Sequence, residues 1–207
     1  MVIGVGVAGL QALATAKRLG AITYAADIRP MAAENAASLG AKVIDTTVPA
    51  DLAIAEGGYA NRLPDAVLVN EQNALKETIQ EMDIVFCSAL IPGKIAPIII
   101  TEDTVKGMKK GSVIVDISID QGGNCELTPK GGIEKKYGVT LMGVKNIPGL
   151  LPTSSTWMFS NNLYNLVNYL VKDGKIVLDR NDEIIQKSLV CIDGQLVHQG
   201  AREAMGL

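Results

Sequence analysis

The sequence contains few residues of the types that bind metals or form disulfides. His198 is the single histidine, and the three cysteines, Cys87, Cys125 and Cys191, are far apart and include no CxxC pair. A histidine-rich metal site is therefore excluded, and the predicted site contains no metal. The odd number and wide spacing of the cysteines favour reduced, mostly buried thiols, as is typical of a cytosolic protein.

Long apolar runs and an excess of positive charge are also absent. The longest apolar stretch, residues 84–100, contains Pro92, Lys94 and Pro97 and is too short to span a bilayer. No signal peptide precedes the first predicted strand, and a net charge of -3 with scattered Lys and Arg gives no sign of nucleic-acid binding. With 48% hydrophobic and 20% charged residues, the 207-residue chain is predicted to be globular, with no direct membrane insertion.

Glycine is abundant, and its most informative cluster lies near the start of the chain. Residues 4–9, with the sequence GVGVAG, stand between a short apolar run and an Ala- and Leu-rich segment that favours a helix. In this setting Gly4 permits a tight strand-to-helix turn, Gly6 lets the backbone approach a pyrophosphate, and Gly9 lets the helix pack closely on the strand. The free N–H groups at the start of the helix would bind the phosphates. The alternative is an ordinary glycine-rich turn.

An acidic residue follows this turn at a distance typical of dinucleotide-binding βαβ units. Asp27 comes directly after a predicted strand at residues 22–26. Its carboxylate would accept hydrogen bonds from an adenosine ribose and repel a 2′-phosphate, so the sequence favours NAD(H) over NADP(H). Arg29, two residues further on, tempers this preference. In the alternative interpretation, Asp27 only ends a strand.

The chain up to residue 152 alternates predicted strands and helices, as in a doubly wound parallel sheet. We therefore predict a Rossmann-type α/β domain over residues 1–152, with helices on both faces of the sheet. Residues 48–64 have no clear period and are predicted to form a mobile loop. Strands are predicted at residues 22–26, 42–46, 84–88, 112–117 and 139–144, and helices at 10–20, 30–39, 70–82 and 101–108, the last capped by Thr101.

Three segments that could contact a ligand follow the ends of predicted strands. They are residues 89–94, 120–126 and 146–149, and they lie where open α/β sheets bind ligands. Asp120 taken alone would more often cap or solvate a turn, and Asn146 is similar. Tyr59 taken alone is more often a partly exposed aromatic residue than part of a lid.

The pattern changes in residues 153–207. Apolar residues recur at helical spacing from Trp157 to Val171, which predicts one long helix that ends at Gly174. Short strands are predicted at 175–179, 184–192 and 195–197, with the Asp193-Gly194 pair as a hairpin turn. We expect this helix and hairpin to pack on a missing N-terminal half or a dimer partner. Because only three residues precede the first glycine, we also expect the chain to begin part-way through a larger protein.

Several motifs then carry a resemblance to a known family. They are GVGVAGLQA at 4–12, AKRLGA at 16–21, DIRP at 27–30, GGYA at 57–60, ALIPG at 89–93, GSVIVD at 111–116, GGNC at 122–125 and DGQLVH at 193–198. Together they resemble the NAD(H)-binding domain of the alpha subunit of proton-translocating NAD(P) transhydrogenase, in its C-terminal portion. The same family includes alanine dehydrogenase, which residues 119–123, 146–149 and 153–156 resemble more closely.

The resemblance implies how each group of residues would contact NAD(H). The glycine turn would hold the pyrophosphate, Asp27 and its two successors the adenosine ribose, and Tyr59 would belong to a loop that closes on the nucleotide. Leu90 would pack at the cofactor cleft. Asp120 and Asn146 would lie on the nicotinamide side, with Asp120 as the candidate for a catalytic role. The predicted cofactor-binding residues are Gly4, Gly6, Val7, Ala8, Gly9, Asp27, Ile28, Arg29, Gly58, Tyr59, Leu90, Asp120 and Asn146.

Two features depart from the family pattern. A glutamine used by some relatives falls by spacing at Glu71, beside Gln72, so its role is not carried over. The family's Arg-Gln-Asp loop on the nicotinamide side belongs to an N-terminal half that this chain lacks. We therefore expect the 207 residues alone to transfer hydride more slowly than an intact relative.

The resemblance also implies an activity and partners. Hydride would pass directly from NADH on this domain to NADP⁺ on a partner domain, coupled to proton movement across the membrane. The implied partners are NADP-binding and membrane-spanning transhydrogenase subunits and a second copy of this chain in a homodimer, at a cytoplasmic location peripheral to the inner membrane. Two alternatives stay open: a fragment of an NAD-dependent alanine dehydrogenase, and a non-catalytic NAD-binding module.

Overall fold

A computed structural model describes residues 1–55, 58–91 and 94–206, which divide into two compact units, Met1–Ile147 and Pro148–Leu207. Gly57, Pro92 and Gly93, which belong to two of the motifs, lie outside the described residues. Within the described residues, no helix is both long and apolar enough to cross a membrane. The same part of the chain contains no group of three or more His, Cys, Asp or Glu side chains that could hold a metal ion.

A seven-stranded sheet forms the centre of the first unit. Its strands are β1 (Val2–Ile3), β2 (Tyr24–Ala26), β3 (Lys42–Val43), β4 (Ile84–Cys87), β5 (Val113–Asp116), β6 (Gly132–Lys136) and β7 (Val139–Gly143), in the order β3-β2-β1-β4-β5-β7-β6. Neighbouring strands are parallel except for β6, which runs antiparallel to β7 at the edge of the sheet. The predicted doubly wound parallel sheet is confirmed, and β6 is an addition that the sequence does not predict. The strand order reverses between β1 and β4, which is where such sheets bind ligands.

Helices cover both faces of this sheet. Successive residues of a strand point to opposite faces, and the two residues of β1 accordingly belong to different core clusters. Ile3 packs with apolar residues such as Leu75 and Val105, whereas Val2 packs with Leu13 and Ala36. The helices of this unit are α1 (Val7–Arg18), α2 (Pro30–Ser38), α3 (Ala50–Ala53), α4 (Asp65–Gln80) and α5 (Glu102–Lys106).

Local capping explains where two of these helices begin. Thr101 caps α5, as predicted, because its hydroxyl accepts a hydrogen bond from Thr104 N at 3.3 Å. Helix α4 begins at Asp65, five residues before the predicted start, since Pro64 stands at its N-cap and an acidic residue occupies the first turn. The prediction of a structureless loop at 48–64 is wrong in part. That segment contains α3 and an antiparallel bridge between Ile54 and Ala60.

The second unit begins with α7 and continues with short elements. After α6 (Ile147–Leu150), these are α7 (Pro152–Leu170), β8 (Val171–Lys172), β9 (Lys175–Ile176), α8 (Glu183–Ser188), β10 (Cys191–Ile192), β11 (Gln195–Leu196) and α9 (Gln199–Ala204). The predicted hairpin turn at Asp193-Gly194 is confirmed between β10 and β11. Gly174, expected to end the long helix, lies instead in the turn between β8 and β9, with a φ of +73°.

The predicted strand at 184–192 is wrong over most of its length. Residues 183–188 form α8, because the Asp182 carboxylate caps that helix by accepting hydrogen bonds from Ile184 N and Ile185 N at 2.9 and 3.0 Å. In α7, by contrast, none of the residues is buried, and Trp157 and Phe159 are among its exposed apolar side chains. The packing of this tail on a missing segment or a second copy stays a prediction.

Two of the three cysteines are buried. Cys87 at the end of β4 and Cys125 beyond β5 lie in the core of the first unit, whereas Cys191 in β10 is exposed. Burial is the largest cause of the raised pKa of both core thiols. Their neutral form is therefore favoured, which suits packing rather than nucleophilic chemistry.

Candidate functional site

The turn between β1 and α1 is shaped by backbone contacts that only glycine allows. Gly4 has a φ of +82°, and a Cβ there would lie 2.5 Å from the backbone nitrogen of Ala89. A Cβ on Gly9 would lie 2.2 Å from the carbonyl oxygen of Gly4. A Cβ on Gly6, in contrast, would meet no atom of the described residues within 4 Å. Gly4 and Gly9 are therefore needed for the fold, while the space beside Gly6 is open to a ligand.

The start of α1 is free to bind an anion. Gly6 occupies the N-cap position, no side chain caps the helix, and its first turn contains no acidic residue. Val7 is 90% exposed. The N–H groups of a first helical turn have no partner within the helix, and the helix dipole is positive at this end. A pyrophosphate placed here would be bound by backbone donors alone.

A cavity of about 780 Å³ extends from this turn across the carboxyl edge of the sheet. Its volume is in the range of cofactor sites. The lining is mostly apolar and comes from the turn after β1, the end of β2, residues 59–63, α4 and the segments after β4. It brings together these predicted residues: Gly4, Gly6, Val7, Ala8, Gly9, Asp27, Ile28, Arg29, Tyr59 and Leu90. Gly58, Asp120 and Asn146 do not line it.

The carboxylate of Asp27 is held by four N–H groups. One oxygen accepts hydrogen bonds from the Arg29 backbone nitrogen at 2.9 Å and from Arg29 Nε at 3.0 Å. The other accepts from Val5 N at 2.7 Å and from Arg29 Nη2 at 2.9 Å. The hydrogen bond to Asp27 also raises the pKa of the Arg29 guanidinium. A ribose hydroxyl that binds Asp27 must therefore replace part of this bidentate pair.

Asp120 lies in a second, adjoining cavity of about 520 Å³. Ile95 and Gln121 line both cavities, so the two spaces are neighbours at the same edge of the sheet. The Asp120 carboxylate accepts a hydrogen bond at 3.1 Å from the backbone nitrogen of Asn146, which has a φ of +50°. The structure thus brings the two predicted nicotinamide-side residues together, at a place next to the main cavity rather than inside it.

The floor between the two cavities is fixed by a buried amide. Asn124 Oδ1 accepts a hydrogen bond from Ala89 N at 3.0 Å, and Asn124 Nδ2 donates to the carbonyl oxygens of Ala89 and Pro97, both at 2.9 Å. The buried carboxylate of Asp116 in turn accepts from Asn124 N at 2.7 Å. This network holds in place the segment that carries Leu90. Neither polar side chain is predicted from the sequence to have a role, although Asn124 lies within the GGNC motif.

Glu71 is a cavity residue whose role stays open from the sequence alone. It lies on the buried face of α4 with Leu75 and Ile79, one and two turns further along. Only 3% of it is exposed, yet it lines the main cavity. Burial, followed by the charge of Asp27, raises the pKa of its carboxyl to about 7. The helical spacing of Glu71 with the two apolar residues is the signal that points to its burial.

Comparison with known proteins gives consistent matches along the chain. The family model for the alanine dehydrogenase/PNT C-terminal domain matches residues 1–199. The chain is 42% identical to an NAD(P) transhydrogenase subunit alpha protein of Rhodospirillum rubrum, over 96% of the chain and 52% of that protein. It is 36% identical to alanine dehydrogenase of Staphylococcus haemolyticus, over 85% of the chain and 48% of that protein. The chain thus spans about half the length of these curated relatives.

Solved structures show the same similarity. The crystal structure of transhydrogenase from Sinorhizobium meliloti superposes with a TM-score of 0.76 at 36% identity, covering 95% of this chain and 51% of that one. A structure of L-alanine dehydrogenase gives a TM-score of 0.71 at 26% identity, covering 99% of this chain and 52% of that one.

Proposed function

Since this chain belongs to the alanine dehydrogenase/PNT C-terminal domain family, we propose that it is the NAD(H)-binding part of a proton-translocating NAD(P)⁺ transhydrogenase. The observation that carries the proposal is the main cavity, where the uncapped start of α1 and the Asp27 carboxylate line one space of about 780 Å³. The 42% identity to the transhydrogenase subunit, against 36% to the alanine dehydrogenase, supports this activity over the alternative dehydrogenase.

The residues of the cavity fit an extended dinucleotide. The N–H groups at the start of α1 bind the pyrophosphate beside Gly6, and Asp27 accepts hydrogen bonds from the adenosine ribose. Leu90 covers the cleft toward the cavity that contains Asp120. When bound, NADH supplies the hydride that passes to NADP⁺ on a partner domain. The protein's own part is to orient the nicotinamide and to exclude water, which requires no nucleophile or general base.

We further propose that the chain works with NADP-binding and membrane-spanning transhydrogenase subunits, and as a homodimer, at the cytoplasmic side of the inner membrane. The similarity to transhydrogenase alpha subunits supports the first partners. The exposed apolar side chains of α7, such as Trp157 and Leu163, support association with further protein surface. Sedimentation equilibrium of the chain should then show a dimer, and a monomer at micromolar concentration would contradict the homodimer.

The first test of the proposed function is binding followed by turnover. NADH titrated into the protein and followed by nicotinamide fluorescence is expected to bind at one saturable site per chain. Hydride transfer to an NADP⁺ analogue is expected only when an NADP-binding partner domain is added. Oxidation of NADH by pyruvate and ammonium without that partner would instead identify an alanine dehydrogenase. If NADH does not bind, the proposal fails.

A second prediction concerns the segment around Tyr59, which we propose closes over the bound dinucleotide. Tyr59 lines the cavity but is 58% exposed, while backbone hydrogen bonds from Ala55 N to Tyr59 O and from Asn61 N to Ala53 O hold the base of the segment. Saturating NADH should slow hydrogen exchange of the amides at 59–62 by about tenfold, because closure removes them from solvent. The hairpin turn at residues 173–174 is the control, and unchanged exchange at 59–62 would contradict closure.

A further inference from the structure

Glu71 is a buried carboxyl group for which the described part of the chain provides no partner. Its side chain reaches the main cavity from the inner face of α4, and within residues 1–55, 58–91 and 94–206 it forms no hydrogen bond and no ion pair. Other buried acidic groups in this unit are well satisfied; the Asp116 carboxylate, for example, accepts hydrogen bonds from three backbone nitrogens. Buried polar groups are normally paired, so an unpaired carboxyl that faces a cavity indicates a role with a ligand.

The charges that share the cavity with Glu71 come from three segments. Asp27 and Arg29 follow β2, Tyr59 and Arg62 precede α4, and Asp65 lies in the first turn of α4. The lining residues after β4, at 88–91 and 95–99, are uncharged. The Arg29 guanidinium is already bound to Asp27. Burial and the negative charge of Asp27 together place the pKa of Glu71 at about 7, so its neutral form is well populated at neutral pH.

We propose that Glu71 contacts the bound dinucleotide as a neutral carboxylic acid, and that binding takes up one proton from solvent at this residue. The inference rests on the proposed function. A bound pyrophosphate adds negative charge to the cavity and displaces water, and both effects disfavour a second carboxylate near Asp27. A protonated Glu71 offers an O–H donor to the ligand, while Asp27 offers only acceptors. The two carboxyl groups therefore have complementary roles.

The sign of the pH dependence follows from this proton uptake. Below pH 7 Glu71 already carries its proton in the ligand-free protein, and affinity for NADH is constant. Above pH 7 each binding event must first protonate Glu71, so affinity falls as pH rises. With a ligand-free pKa of about 7 and a higher value in the complex, binding should be about tenfold weaker at pH 8 than at pH 6.

Calorimetry of NADH binding at pH 8, in two buffers with different ionisation enthalpies, counts the protons directly. The wild-type protein is expected to take up close to one proton per NADH. Glu71→Gln keeps an N–H donor but cannot titrate, so it should take up none and should bind at pH 8 as tightly as the wild type does at pH 6. Glu77→Gln, at an exposed position of the same helix, is the matched control and should behave as the wild type.

The outcomes separate the inference from the proposed function. Equal proton uptake in wild type and Glu71→Gln would overturn the inference, as would tighter binding at pH 8 than at pH 6. If no variant binds NADH even at pH 6, the proposed function fails instead. Carbon-detected NMR titration of glutamate side chains in the wild type does not depend on a variant's folding. It should show one carboxyl with a midpoint near pH 7 that moves upward with NADH, and its absence would also overturn the inference.

Discussion

Gly9→Ala is expected to destabilise the first unit by more than about 3 kcal/mol, whereas Gly6→Ala should leave the fold intact and impair dinucleotide binding. At Gly9 the added methyl would lie 2.2 Å from a backbone oxygen of Gly4. A backbone atom cannot rotate away as a flexible side chain can, so α1 must move off β1, and overpacking of this kind is costly. At Gly6 no atom of the described residues lies within 4 Å of the added methyl.

The methyl of Gly6→Ala would instead occupy the space that a pyrophosphate needs. Hydrogen bonds to a charged group each contribute about 1.5–3 kcal/mol, so displacing the phosphate from one N–H of α1 weakens NADH binding by about ten- to a hundredfold. Urea denaturation measures the first effect and NADH titration the second. Normal stability of Gly9→Ala would contradict the close approach of α1 to β1. Unchanged affinity of Gly6→Ala would contradict the position of the pyrophosphate.

The central sheet is the part of the fold that the sequence predicts best. Parallel strands buried on both faces require continuous apolar runs, and such runs mark residues such as Val85 and Ile114, which are fully buried. Strand β6 was missed because Glu134 and Lys135 lie in the middle of a solvent-exposed edge, so its sequence carries no apolar pattern. Its position depends on backbone pairing with β7 alone.

Apolar composition alone leads to a wrong prediction in the second unit. Ile184 and Ile185 are β-branched and favour strands, yet the Asp182 cap and a single helical turn place only Ile185 in the interior. In the candidate site, the sequence located Asp27 but not its pairing with Arg29, because two residues at a strand end can meet only if the turn brings them together. Glu71 was identified by spacing, while its lack of hydrogen-bond partners among the described residues depends on the three-dimensional packing around α4.

NADH is expected to bind at least about tenfold more tightly than NADPH, and Asp27→Ala should remove most of this difference. The wild-type carboxylate accepts from the ribose hydroxyls and repels a 2′-phosphate. Its loss also releases the Arg29 guanidinium, now held by two hydrogen bonds to Asp27, which can then bind the 2′-phosphate. Both effects act in the same direction, and each is worth about 1.5–3 kcal/mol, as hydrogen bonds to charged groups usually are.

Parallel titrations with the two nucleotides measure the change, and the choice of variants separates its causes. Asp27→Asn keeps an oxygen that can accept from Val5 N, so it should preserve stability and lose only the repulsion. Asp83→Ala, before β4 and thus at the opposite edge of the sheet, should leave selectivity unchanged. If Arg29 supplies the gain for NADPH, adding Arg29→Ala to Asp27→Ala should abolish that gain without restoring NADH affinity. Equal affinities of the wild-type protein for NADH and NADPH would show that Asp27, bound as it is to Arg29, does not select the nucleotide.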